Sequence, residues 1–330
     1  MRISVLGAGS FGTTIASLLA AHNDTMLWGR SAEVADTINR EHRNPRYMSD
    51  FALPERLRAT SDLEQAVARA SVLIVGVPSH AFRATLEQAR PAVAPWIPLV
   101  SLTKGLEQGT LLRMTQVMEQ VLPGHPVAAL SGPNIAKEIM AGKAAASVIA
   151  TEDAAVGTEL AKVLRRGMFR VYRNHDVIGC ELGGALKNVI AIACGMAEGI
   201  GVGDNTRATM MTRGLAELTR LGVAMGGEPA TFAGLSGLGD LMVTCVSPHS
   251  RNRFVGEQLG RGLSLSEVTA SMNMVAEGIK TAPTVIELAR RHNVLMPICS
   301  EIDRVVRGEI SGGEAYRGLY PPAGHEAEPG

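Results

Sequence analysis

The fold class this sequence predicts is α/β, with an N-terminal doubly wound sheet followed by an all-α domain. Three observations predict it. Short apolar runs alternate with amphipathic stretches through the first part of the chain, a glycine-rich turn follows the first run, and from about Asp176 long segments of helical period take over. At 330 residues the chain exceeds the size at which one hydrophobic core usually keeps growing, so two domains are expected. They fall at 1–174 and 175–320. The last stretch, 321–330, is rich in helix breakers and poor in apolar side chains, and is expected to be a disordered tail.

The strands are expected at 3–6, 25–28, 72–77, 99–102, 127–130, 147–150 and 169–172, in a parallel sheet wrapped on both faces. Several end in punctuation: Pro78, Lys104-Gly105 and Gly132-Pro133. Those C-terminal ends are where open α/β sheets bind ligands. Beyond the crossing at 174–176, the apolar period predicts helices over 181–200, 206–225, 265–272 and 281–292. No internal repeat is present.

Composition excludes several function classes. Lysine and arginine (32) balance aspartate and glutamate (32), which removes the electrostatic case for nucleic acid or an anionic membrane as the main partner. The cysteines Cys180, Cys194, Cys245 and Cys299 form no Cys-x-x-Cys pair and have no histidine at zinc-site spacing, so no metal is expected and the thiols read as reduced and buried. Near Lys187 the longest uncharged stretch, 189–197, falls short of the roughly 18 apolar residues of a membrane span. Residues 1–6 read as a first strand rather than a leader. A cytoplasmic protein is expected.

Gly7-Ala8-Gly9-Ser10-Phe11-Gly12 lies directly after the first strand and before an amphipathic helix, the context a dinucleotide-binding turn requires. Gly7 permits the tight turn, Gly9 lets backbone amides approach a pyrophosphate, and Gly12 allows close helix packing. The helix N-terminus adds partial positive charge. A Rossmann-type domain binding NADP(H) or NAD(H) follows. Where NAD-specific proteins place an acid on the ribose, Leu27-Trp28-Gly29-Arg30 ends in arginine, a guanidinium suited to a 2′-phosphate, so NADP(H) is favoured.

Lys187, in Gly183-Gly184-Ala185-Leu186-Lys187-Asn188, heads a long apolar stretch, and burying an ammonium is expensive unless it is used. It is expected on the first long helix of the second domain, facing a cleft between the domains, as a proton donor beside a hydride carrier. Lys104, at the end of a strand, would share that cleft, where like charge and desolvation both lower a lysine's proton affinity. Asp240, among glycines, could orient Lys187 or bind a substrate hydroxyl, but its residues alone read more readily as an N-cap for 241–245. Ser250-Arg251-Asn252-Arg253 concentrates donors able to bind a phosphate monoester. Glu138 and Glu277 could each be an ordinary surface charge, and neither His80 nor His249 has a carboxylate at relay spacing.

Together with Thr103-Lys104-Gly105-Leu106-Glu107, 130–138, Gly237-Leu238-Gly239-Asp240-Leu241 and Val275-Ala276-Glu277-Gly278, these motifs closely resemble those of bacterial NAD(P)-dependent glycerol-3-phosphate dehydrogenases, nearly end to end. The resemblance implies reversible reduction of dihydroxyacetone phosphate to sn-glycerol 3-phosphate for phospholipid synthesis, by a homodimer. It implies that Lys187 is the acid/base, with Lys104, Asn188 and Asp240 also catalytic. It puts Lys104, Gly132, Asn134, Lys187, Asp240, Ser250, Arg251 and Asn252 at substrate positions. Ser10, Phe11, Arg30, Lys104, Ala136, Arg251, Val275 and Glu277 match cofactor positions. Asn134 stands where many relatives have threonine or serine, and Phe11 where tyrosine or tryptophan is frequent. Two other readings fit the fold alone: a dehydrogenase of another 3-hydroxy acid, and an NADP(H) sensor without turnover.

Overall fold

A computed structural model describes residues 1–272 and 276–318. The chain forms two compact units: residues 1–103 with 112–177, and residues 104–111 with the chain from Ile178 onward. The eight residues 104–111 thus pack with the second unit although their chain neighbours on both sides belong to the first, which no feature of the sequence announces. The expected tail, 321–330, lies outside the described residues.

Unit 1 is built on eight strands: β1 (Arg2–Leu6), β2 (Asp24–Trp28), β3 (Arg58–Thr60), β4 (Val72–Val75), β5 (Leu99–Ser101), β6 (Val127–Ser131), β7 (Ala145–Ala150) and β8 (Phe169–Asn174). Their order is β3-β2-β1-β4-β5-β6-β7-β8. All neighbours pair in parallel except β6 with β7, where Leu130 faces Ile149 in an antiparallel register. The expected sheet was parallel throughout and lacked β3, a strand of three residues that leaves no readable period.

The pleat explains the two apolar cores of this unit. Ile3, Val5, Val72 and Ile74 belong to one, whereas Leu6, Leu73 and Val75 belong to the other, so successive residues face opposite layers of helix. β1 has β2 on one side and β4 on the other, which makes the carboxyl ends of β1 and β4 the switch point of a doubly wound sheet. The glycine turn leads there from β1 into helix α1 (Ser10–Ala20).

Unit 2 is helical. Its core surrounds α2 (Val177–Ile200), in which every residue from Gly179 to Ala197 is buried. A helix buried on every face belongs either in a membrane or at the centre of a large core. By length and hydropathy α2 could cross a membrane, as could the run Pro229–Val246, but 94% of the apolar window of α2 is packed inside the protein.

Around α2 stand α3 (Asp204–Ala224), α4 (Asp240–Val246), α5 (Arg251–Gly260), α6 (Glu277–Arg291) and α7 (Pro297–Val306). α2 and α5 meet backbone to backbone. A Cβ on Gly195 or Gly199 would lie 2.1 or 2.2 Å from the carbonyl oxygens of Arg253 and Glu257, and one on Gly256 or Gly260 would lie 2.0 or 2.3 Å from those of Ile192 and Met196. Two glycines per helix, each pair one turn apart, therefore fix α5 against the helix that carries Lys187.

Candidate active site

In unit 2, Lys187 is only 6% exposed and Asp240 1%. The Lys187 ammonium donates to Asp240 Oδ1 and to Thr244 Oγ1 at 2.7 Å. Lys104 Nζ donates to Asp240 Oδ2 at 2.8 Å. One carboxylate therefore divides its oxygens between two ammoniums. Asp240 is the first residue of α4 and makes no side-chain cap, so the N-cap expectation fails. Thr244, one turn further on, donates its hydroxyl to the Asp240 carbonyl at 2.6 Å, which leaves its oxygen lone pairs facing Lys187. Sequence reasoning missed Thr244, although the Asp-x-x-x-Thr spacing places both on one helix face.

Burial is the largest influence on Lys187 and lowers its pKa from 10.5 to about 8. The Asp240 carboxylate opposes that shift and the Lys104 ammonium adds to it. A group with that value both gives and takes a proton near neutral pH.

A second chain of hydrogen bonds backs the first. The Gly278 backbone N–H donates to Asn252 Oδ1 at 3.0 Å, Asn252 Nδ2 donates to Asn188 Oδ1 at 2.8 Å, and Asn188 Nδ2 donates to the Lys104 carbonyl at 3.1 Å and the Gly184 carbonyl at 3.4 Å. Asn188 thus has both amide hydrogens and its oxygen committed to protein partners.

The donor cluster at the start of α5 separates into different roles. Ser250 caps the helix by accepting from the Arg253 N–H at 3.2 Å, and Arg251 is exposed at the first turn. Asn252 points inward. Arg253 pairs with Glu198 and Glu257 and donates to the Ser247 carbonyl, so it serves the packing of α5 on α2.

Both family models for NAD-dependent glycerol-3-phosphate dehydrogenase match, the N-terminal one over residues 2–167 and the C-terminal one over 176–317. The chain belongs to the NAD-dependent glycerol-3-phosphate dehydrogenase family. It is 54% identical to glycerol-3-phosphate dehydrogenase [NAD(P)+] 2 of Sphingopyxis alaskensis, over 100% of this chain and 99% of that one. Identity to glycerol-3-phosphate dehydrogenase [NAD(P)+] of Mycobacterium avium is 52%, covering 98% and 96%. Among solved structures, glycerol-3-phosphate dehydrogenase of Coxiella burnetii superposes with a TM-score of 0.92 at 35% identity, covering 96% of this chain and 98% of that one.

A dehydrogenase of this family needs a dinucleotide site, and unit 1 fits one. Gly7 has φ +117°, and a Cβ on it would lie 2.7 Å from the Gly76 carbonyl oxygen at the end of β4. A Cβ on Gly12 would lie 2.0 Å from the Gly7 oxygen. Gly9 is the N-cap of α1, and a Cβ there meets nothing within 4 Å, so open space stands before the helix N-terminus. Ser10, Phe11 and Gly12 form the first turn of α1, and Arg30 is exposed just past β2.

The remaining expected residues are placed as follows. Gly132, φ +131°, follows β6, and Ala136 opens the helix Ala136–Met140. Asn134 Oδ1 accepts from Ser147 Oγ at 2.6 Å, while its Nδ2 is buried with no hydrogen-bond partner among the described residues. Glu277 opens α6. Val275 lies outside the described residues.

Proposed function

We propose that Lys187 is the general acid and base of the family's reaction, the NAD(P)H-dependent, reversible reduction of dihydroxyacetone phosphate to sn-glycerol 3-phosphate. The observation that carries this is a buried lysine, held by Asp240 and Thr244, whose pKa of about 8 lies close to working pH. When bound, the reduced nicotinamide supplies the hydride for C2 of the substrate. Lys187 donates its proton to the alkoxide forming on that carbon and, in the reverse direction, withdraws it. The Lys104 ammonium adds positive charge next to the same oxygen. Asp240 keeps both ammoniums in place, because two cations sharing a buried site without it would repel each other.

Arg251, exposed beside Ser250 at the N-terminus of α5, is suited to grip the substrate phosphate with its guanidinium fork. Asn252 has one Nδ2 hydrogen on Asn188 and a second for a phosphate oxygen. Asn188, with its amide fully used, is better read as positioning Lys104 than as an oxyanion donor. Gly132, Asn134 and Lys104 complete the proposed substrate positions. Gly7, Gly9, Ser10, Phe11, Gly12, Arg30, Lys104, Ala136, Arg251, Val275 and Glu277 are proposed for the cofactor.

The reading includes NADP(H) as the favoured cofactor, a homodimer, and a cytoplasmic place supplying glycerophospholipid synthesis. Four buried cysteines outside any disulfide fit a reducing compartment.

The test is loss of reduced-nicotinamide absorbance with dihydroxyacetone phosphate, run with NADPH and NADH on wild type and Lys187→Ala. Wild type is expected to be active, faster with NADPH, and the variant nearly inactive. Absence of activity with either cofactor, in protein that binds NADPH, overturns the reading. Arg30→Ala is expected to lower the ratio of kcat/KM for NADPH over NADH by about tenfold, the weight of one charge-assisted contact.

A further inference from the structure

Asn44 is 0% exposed, and each polar atom of its side chain is committed. Its Nδ2 donates to the Ala8 carbonyl at 2.9 Å and to Thr13 Oγ1 at 2.8 Å, while its Oδ1 accepts from the backbone N–H groups of Arg46 at 3.2 Å and Tyr47 at 3.3 Å. Ala8 is the middle residue of the Gly7-Ala8-Gly9 turn, and Thr13 lies in the second turn of α1.

From this bonding we propose that Asn44 is a positioning residue for the cofactor pyrophosphate, acting through the orientation of the Ala8–Gly9 peptide. The inference rests on the dinucleotide site read above.

In a trans peptide the C=O and N–H point to opposite sides of one plane. Holding the Ala8 carbonyl on Asn44 turns the Gly9 N–H to the opposite side of the peptide plane, away from Asn44, at a residue whose Cβ position borders open space. Gly9 at one end eases rotation of this peptide, and a half rotation would replace a donor by a carbonyl oxygen facing an anion. The buried amide blocks that rotation. Its oxygen separately secures the loop at Arg46 and Tyr47, so the two ends of one side chain divide the work.

The division supplies the test. Asn44→Asp keeps the acceptor for Arg46 and Tyr47 but cannot donate to Ala8, and its charge repels that carbonyl. Thr13→Val removes one partner from the same buried cluster and leaves the Ala8 bond intact. NADPH binding is measured by its fluorescence on the intact protein without substrate, alongside far-UV circular dichroism and steady-state kinetics.

Asn44→Asp and Asn44→Ala are expected to weaken NADPH binding about tenfold or more, the range for a lost buried hydrogen bond, with kcat at saturating NADPH and KM for dihydroxyacetone phosphate within about twofold. Thr13→Val is expected to bind as wild type does. Wild-type binding in a folded Asn44→Asp protein overturns the proposal. So does an equal loss in Thr13→Val, which would make the effect a general loosening. Either result leaves the dehydrogenase reading standing, whereas a wild-type protein that does not bind NADPH brings down both.

Discussion

Asp240 and Glu217 are both carboxylates at 1% exposure inside the helical unit, yet one is surrounded by full positive charge and the other by backbone dipoles. Asp240 lies against two ammoniums, Lys187 and Lys104. Glu217, midway along α3, accepts from the N–H groups of Ile298 at 2.7 Å and Cys299 at 3.2 Å, at the start of α7. Burial raises the Glu217 pKa, and the two backbone donors only partly oppose it. A helix N-terminus offers about half a charge and cannot move a proton. The contrast separates a carboxylate that holds two ammoniums from one that joins two helices, and it does so by partner type, since burial is the same.

The comparison breaks most visibly at Lys187. Lys187→Ala is expected to lower turnover by about two to four orders of magnitude, the usual worth of a general acid, with a smaller change in KM. If Lys187 is the proposed acid, reduction in wild type needs it protonated, so the rate should fall as pH rises through about 8, while glycerol phosphate oxidation should rise through the same midpoint. A pH profile flat between 6.5 and 9.5 in both directions would remove Lys187 from proton transfer.

Asp240→Asn comes next. Two ammoniums would then share a site without a counter-charge, and since Asp240 raises the Lys187 pKa, the midpoint for reduction should move below 8. Breaking a buried pair from one side costs about 3 kcal/mol, read in urea unfolding at a pH where Lys187 is charged. An unchanged midpoint would mean that the carboxylate does not govern the lysine.

Glu217→Gln should leave the pH profile of turnover alone and cost about 1 kcal/mol at neutral pH, because one amide oxygen replaces two acceptors for the α7 N–H groups. A carboxyl whose folded pKa is raised contributes most below its unfolded value and loses that contribution as pH rises through the folded value. The stability gap between wild type and variant should therefore widen as pH falls from 7 toward 5. Urea unfolding of both proteins across that range decides it, and a constant gap would show that Glu217 has no raised pKa.

What the sequence disclosed and what it withheld follow the range of the forces involved. The glycine turn was readable because strand, turn and helix lie within about twenty residues and their geometry is local. Lys187 was readable because a charge in an apolar run is costly wherever the run packs. The all-α second domain followed from period alone. The neighbours of Asp240 alone suggest a cap and leave its hold on Lys187 as one option, since its partners lie 136 and 53 residues away and only tertiary packing brings them together. A separation of 64 residues likewise hid the Asn188–Asn252 pairing, and Arg253 looked like a substrate donor until Glu198 and Glu257 claimed it. β3 was too short to carry a pattern.

The excursion of residues 104–111 into unit 2 also bears on how this protein can be divided. The chain passes from one unit to the other at 103/104, back at 111/112, and again at 177/178. No single cut yields both units whole. A fragment beginning at Ile178 would retain Lys187, Asp240 and Thr244 but would lack Lys104 and the carbonyl that Asn188 grips, leaving one Asp240 oxygen without its cation. A longer fragment that restores Lys104 must also carry β6, β7 and β8 without the β1–β5 part of their sheet. A cut at any one of the three crossings therefore separates Lys104 from Asp240 or divides the sheet.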